Sequence, residues 1–446
     1  MTLETFGEEM RLALFALLLG WQSILCGQDF AKSKMSNWHQ WRGPLGNGVV
    51  ADAEPPLNWD EKKNVKWFTK IPGEGSSTPI IWENQVFIVS AIETGKPAPN
   101  PPVKDPQSMT QPPSTLFEFV VFCLDRNTGE TLWKKVLTEL CPHSGKHQTH
   151  TYAASSPTTN GEYLFVSLGS YGIFCLKMNG DVVWSRDLGD MRTRRGWGEA
   201  ISPVLHEDKL VVNWDHEDDS HLYVLNTKSG DTIWQTDRDE PTTWFTPLVL
   251  AHASRDLVIL PGTNRVRCYD LDNGKQIWEV AGLTVNSIPS PVYDDNQIVC
   301  MSGYQGNAAV SIAINQALLT ESPDVQWRLD RGMPYVPSPV LVDDRLYFTK
   351  GNEAILSCVD PKTGKPLFES ERLPGLKGLY ASPVAAGGKI YFCSREGTTL
   401  VIRNSAEFEI LATNQLPDPI DASPAVIGNQ MFLRTSSGVY CLQEPN

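Results

Sequence analysis

The chain has 446 residues, with 52 Asp and Glu against 38 Lys and Arg, for a net charge of −14. Such an acidic balance argues against nucleic acid as a partner, because phosphate binding needs a basic face. Hydrophobic residues make up 41%, which is the composition of a packed globular protein and not of a disordered chain.

At the N-terminus, Leu12 to Trp21 reads LALFALLLGW, and the apolar run extends to Leu25. It is too short and too poorly flanked to span a bilayer, and it has the layout of a secretory signal. Glu4, Glu8 and Glu9 are out of place in a basic n-region; a start at Met10 instead of Met1 removes them. Cleavage near Cys26 or Gly27 removes Glu4, Glu8, Glu9 and Arg11 and leaves a mature chain of charge −12 with no transmembrane span. The expected location is periplasmic or secreted. Cys26 offers a point for lipid attachment, but the bulky Leu25 stands before it, and acylation is not favoured. A lead-in over residues 28–63 follows.

From residue 64 to the end one unit recurs. It opens on Ser-Pro or Thr-Pro and runs through an apolar strand, a turn, two more apolar strands and a Thr-Gly or Asn-Gly pair. It ends in a strand carrying Trp. The opening prolines are Pro79, Pro157, Pro203, Pro247, Pro291, Pro339, Pro383 and Pro424, and the steps after Pro157 are 46, 44, 44, 48, 44 and 41 residues. Four strands at this period predict a β-propeller blade. Blades two to seven end near Trp184, Trp234, Trp278, Trp327, Phe368 and Phe408. The last copy holds only three strands. NVKWFTK, Asn64 to Lys70, reads as its missing fourth, with Trp67 in the expected place. The expectation is an all-β, eight-bladed ring closed by an N-terminal strand, which leaves no open edge between blades.

Within the repeat, Trp67, Trp133, Trp184, Trp234, Trp278 and Trp327 recur once per blade. This is the behaviour of packing elements and not of a cofactor box. Cys123, Cys175, Cys268, Cys358 and Cys441 share one place in the third strand of different blades. Equivalent places in separate blades cannot meet, so these are expected to be buried thiols and not disulfides. The first blade carries an insertion, Glu93 to Thr115, with seven prolines. It reads as an extended loop, serving as a lid, a partner-binding arm or a plain connection.

The Ser-Pro opening, the Cys-Leu-Asp strand, the Thr-Gly turn and the following Trp resemble the pyrroloquinoline-quinone-type propeller repeat, over nearly the whole mature chain. That family contains quinone- and Ca²⁺-dependent dehydrogenases and also a barrel-assembly lipoprotein that binds protein and carries no cofactor. The segment Asn37 to Gly48, NWHQWRGPLGNG, is similar to the lead-in of secreted propellers of planctomycete-type bacteria.

Propeller geometry puts the D–A connections and B–C loops on one face, where the irregular segments of this chain collect. WDHEDDS, Trp214 to Ser220, reads as a solvated acidic loop, lacking the alternation and Gly of a calcium loop. His143, His147 and His150 lie in a loop, where their spacing fixes no metal geometry. No hydrolase, zinc-protease or phosphate-loop motif occurs. The candidate surface is Tyr152, Trp197, Asp215, Arg238, Glu240, Trp244 and Tyr304. An Arg, carboxylates and aromatics near a channel mouth can hold a polar ligand; ion pairs that fix the crossovers explain the charged members equally. The function expected is a monomeric, non-catalytic platform without a cofactor that binds an envelope protein or glycan. The alternative is a quinone-dependent dehydrogenase with Ca²⁺, as the resemblance implies.

Overall fold

The computed structural model describes residues 30–445. The signal segment 1–27, Cys26 and the choice of start codon lie outside them. Eight antiparallel sheets, each built from one repeat, form the ring. Blade one is Ile80–Trp82, Gln85–Pro97, Thr115–Asp125 and Thr131–Leu140, and the others repeat its A-B-C-D order. The eighth is closed as expected. Its strands Ala425–Ile427, Gln430–Arg434 and Gly438–Gln443 are completed by Val65–Lys70 from the other end of the chain. Among the described residues no helix is long and apolar enough to cross a membrane.

The Ser-Pro signature has a local cause. Proline has no N–H to give, so the residue before it marks where ladder pairing starts. That residue instead links blades through its own side chain. The backbone N–H of Thr78, Ser156, Thr246, Ser290, Ser338 and Ser382 each donates to the hydroxyl of the opener in the next blade, at 2.8–3.0 Å. The Thr78 hydroxyl returns a bond to the carbonyl of Ser423 across the closing seam. A belt of hydroxyls therefore lines the inside of the ring.

The recurring Trp makes the matching outer belt. Each of the six indoles donates its N–H to a backbone carbonyl in the next blade, from Trp67 to Arg126 round to Trp327 to Pro361, at 2.6–3.0 Å. A buried indole needs such a partner. For every one of the six but Trp278, a turn glycine of the next blade leaves room: at Gly129, with φ +76°, a Cβ would come within 2.7 Å of the Trp67 ring. In blade seven the D strand is Ile410–Gln415, with Ala412 at the Trp position opposite Val401. Phe408 lies just before that strand and packs on Phe368. The five cysteines named above are buried and free. Four face a Trp across the C–D pair, and Cys358 faces Phe368.

The lead-in is woven into the ring. Trp38 is fully buried and exchanges two backbone bonds with Ile81. The chain then crosses the bore from blades one and two to blades six and seven. His39 accepts from Thr159, the Arg42 guanidinium bonds the Pro339 carbonyl, and Gly48 accepts from Ala385. Val49–Val50 pairs in parallel with Val384–Ala386 as a fifth strand of blade seven. Residues 93–97 of the proline-rich segment extend the B strand of blade one. The irregular remainder arches over to residues 192–197, where Met109 N–H meets the Arg195 carbonyl and the Thr110 hydroxyl meets that of Gly196.

Candidate functional site

A cavity of about 380 Å³ sits in the bore on the loop-rich face. Its construction follows the repeat. The residue two places before each Ser-Pro or Thr-Pro opener points into it: Ser76, Ala154, Ala200, Trp244, Ile288, Val336, Tyr380 and Asp421, one per blade. Trp197 and Tyr335 join from the same D–A crossovers and Tyr304 from a B–C loop. Trp41 comes from the lead-in where it crosses the bore, and forms the floor.

Three of the seven candidate residues meet here. Trp197 lies 6.3 Å from Trp244 and 5.9 Å from Tyr304 between ring centres, and Tyr304 stacks on Tyr335 at 4.9 Å. The Trp244 indole is fixed by a 2.7 Å bond to the Gly198 carbonyl, and Arg195 lies over the Trp197 ring.

The other four stand outside the cavity lining. Tyr152 packs on Phe117 and Tyr171 and gives its hydroxyl proton to the Ser144 carbonyl. Asp215 and Arg238 have wholly buried side chains in a bidentate pair at 2.7 and 3.1 Å. Arg238 also bonds the Tyr269 hydroxyl, and the Thr243 hydroxyl bonds Asp215. Burial by itself would lower the Arg238 guanidinium, but Asp215, Tyr269 and Glu240 together outweigh it and the net shift is upward. Glu240 faces Arg267 at 2.5 Å and accepts the Thr263 N–H; burial raises its carboxyl above the usual range. These charges tie blade three to blade four, as crossover-fixing ion pairs would. The acidic loop is likewise engaged: Asp218 takes Arg192 in a 2.6 Å pair and Glu217 accepts from the Thr242 hydroxyl.

Trp41, Tyr335 and Tyr380 are the aromatic lining residues that the candidate surface lacks. The signal for Tyr380 was the register of the repeat, two places before Ser382. Trp41 had no such signal, because the lead-in does not repeat.

Residues 118–370, more than half of the chain, match the family model described as outer membrane protein assembly factor BamB. The chain belongs to this family. A BamB of Legionella pneumophila (strain Paris) is 23% identical over 239 residues, 53% of this chain and 49% of the relative. The match thus spans about half the length of that curated relative. Among solved structures, BamB from Moraxella catarrhalis has a TM-score of 0.55 at 15% identity, covering 84% of this chain and 99% of its own. A europium-containing methanol dehydrogenase reaches 0.61 at 11% identity, covering 93% of this chain and 92% of its own. Quinohemoprotein alcohol dehydrogenase from Comamonas testosteroni reaches 0.60 at 10%, covering 94% and 83%. At these identities the likeness of the BamB-family chain to the solved structures is one of fold.

The dehydrogenase alternative implies a quinone with Ca²⁺, and the cavity's donors do not fit that pair. Ca²⁺ takes six to eight oxygen ligands, several of them carboxylates. The lining offers one carboxylate, Asp421, held in a bidentate pair by Arg395 at 2.8 and 3.2 Å. It offers no Lys or Arg to meet the quinone's own carboxylates. Among the described residues, no group of three or more His, Cys, Asp or Glu is placed to hold a metal.

Proposed function

We propose that the protein is a non-catalytic binding platform of the cell envelope, periplasmic or secreted and monomeric, which receives a protein or glycan partner on its loop-rich face. The observation that carries this is the cavity itself: a fixed concave site of aromatic rings and hydroxyls, in which the imidazole–hydroxyl contact of His147 Nδ1 with Thr149 Oγ1, at 2.8 Å, is a local turn bond shared with the Thr149 N–H. His150, a part-buried imidazole of the lining, keeps Nε2 on the Glu199 carbonyl at 3.0 Å, and desolvation lowers it to about 4. It is therefore neutral at pH 7 and has no free nitrogen aimed at a hydroxyl. Membership of the BamB family supports the reading, since the relatives are named as assembly factors and not as enzymes.

The test is site-specific cross-linking. A photoreactive residue at Ala200, on the cavity wall, is expected to give one discrete adduct in the envelope of the native cell, and the same residue at Lys362 on the opposite face none. An unselective ladder from both positions would count against a defined binding face.

The structural likeness to methanol and alcohol dehydrogenases favours the quinone reading as the second. Melting with excess pyrroloquinoline quinone and Ca²⁺ separates the two. A ligand at ~100 times its Kd adds about 2.7 kcal/mol to the folded state. No upward shift is expected. A clear one would restore the dehydrogenase.

A further inference from the structure

We infer that the cavity holds the end of a neutral glycan chain, with its sugar rings against the Trp197–Trp244–Tyr304–Tyr335 wall. This rests on the binding-platform reading and names the ligand class for it.

The first ground is the state of the aromatic rings. Of the repeat Trp residues that serve packing, Trp67, Trp184, Trp278 and Trp327 are buried between blades, and Trp133 and Trp234 are part-buried with their indole N–H groups bonded to the next blade. The six cavity rings, Trp41, Trp197, Trp244, Tyr304, Tyr335 and Tyr380, are each only part-buried and turn surface to the void. Rings that remain open in a concave site have a use for their faces. The apolar C–H face of a pyranose lies flat on an aromatic ring, while its hydroxyls point sideways to polar groups. The wall supplies two orientations at once. Trp197 and Trp244 lie at 33° to each other, and Tyr304 stands at 82° to Trp197. A corner of this kind grips a bulky ring and suits a flat one less well.

The second ground is charge. Asp421 is cancelled by Arg395, which itself lies 4.5 Å over the Tyr380 ring. His150 is neutral at pH 7, and Nδ1 of His147 is bonded to Thr149. The lining itself therefore offers no unpaired Lys, Arg, Asp or Glu, and the exposed Arg195 over the Trp197 ring is the cation beside it; a charge buried against such a lining is costly where a hydroxyl is not.

The third ground is the hydroxyl belt. Ser202, Ser382 and Ser423 line the cavity and accept backbone N–H bonds from Ser156, Ser338 and Ser382. A hydroxyl that accepts still has a proton to donate. The belt therefore presents uncharged donors next to aromatic faces. The lead-in then decides how much of the chain enters. Because residues 39–48 cross the bore and Trp41 is the floor, the site is blind. At about 380 Å³, near the lower end of the roughly 300–1,000 Å³ of small-molecule pockets, it takes a terminal unit and not a threaded strand.

The test is titration of the full-length chain with cellobiose, maltose, xylobiose, chitobiose, lactose, mannobiose and digalacturonate, read by calorimetry and tryptophan fluorescence. Saturable binding of at least one neutral disaccharide is expected, and none of digalacturonate. Trp197→Ala and Trp244→Ala should weaken it by about tenfold or more. Ala200→Trp, which fills the void and removes no wall, should abolish it with the melting temperature kept. Absence of neutral binding at 10 mM-scale ligand, a preference for digalacturonate, or binding that survives Ala200→Trp would each overturn the inference. If the Ala200 cross-link to an envelope component persists in those cases, the platform reading stands and only the ligand class fails.

Discussion

Trp67 faces Cys441 across the strand pair that joins the two ends of the chain, and its indole N–H reaches on to the Arg126 carbonyl of blade one. One side chain thus fastens both the closing strand and the next blade.

The seam is where the ring is most sensitive. Trp67→Ala is expected to cost about 3–5 kcal/mol, the range for removing a buried aromatic, read as a lowered denaturation midpoint. Gly129→Ala should weaken the same seam from the other side, since its Cβ would meet the Trp67 ring at a φ of +76°. If Gly129→Ala were neutral while Trp67→Ala was severe, the turn would not be the socket described.

The pair Asp215–Arg238 should behave as a structural charge. Asp215→Ala leaves a buried guanidinium unpaired and is expected to cost about 3–5 kcal/mol. The double change Asp215→Leu with Arg238→Met should recover most of that loss, because both burdens are removed together. A double-mutant cycle in urea measures the coupling. Full stability of Asp215→Ala would place the pair at the surface, against its complete burial.

Buried imidazoles give the stability a pH slope. His39 is 2% exposed, and burial lowers it to about 3 from 6.5, with Lys34 adding to the shift. Above pH 6.5 it is neutral folded and unfolded, and its contribution is fully present. Below 6.5 the unfolded chain takes up a proton that the folded one refuses, so stability falls as pH drops towards 3. The loss from this group is about 2 kcal/mol by pH 5. His150, lowered to about 4, acts in the same direction and window. His39→Gln should melt with a smaller difference between pH 7.5 and 5 than the parent. Equal differences would remove His39 from the account.

Thiol labelling checks the reading of the cysteines. Cys123, Cys175, Cys358, Cys393 and Cys441 are pushed up to about 12, chiefly by burial. Cys141 is half-buried, with its Sγ donating to the Pro113 carbonyl. Of the eight free thiols among the described residues, only Cys141 should react with maleimide in the native protein at pH 7.5. Reducing agent should leave the melting temperature unchanged. Native labelling of Cys268 or Cys300 would mean that the blades open far more readily than their packing implies.

The ring was legible in the sequence because it is built from local rules that recur from blade to blade. A Ser-Pro or Thr-Pro opener and alternating strands in every blade, with a glycine turn and a Trp in most, are each satisfied within a blade or against its neighbour. Even closure could be read, since a three-stranded last repeat and an orphan strand at Asn64 to Lys70 need each other. The site was only half legible. Trp197, Trp244 and Tyr304 were chosen as aromatics on irregular loops and do meet at the cavity. Asp215, Arg238 and Glu240 sit on the same loops, yet fold back into the wall between blades. A sequence does not say whether a charge finds its partner in solvent or in a neighbouring blade; that is decided when the sheets pack and desolvation forces pairing. Trp41 shows the same limit from the opposite side. Its segment has no repeat to fix its place, and only the path of the lead-in across the bore makes it the floor of the site.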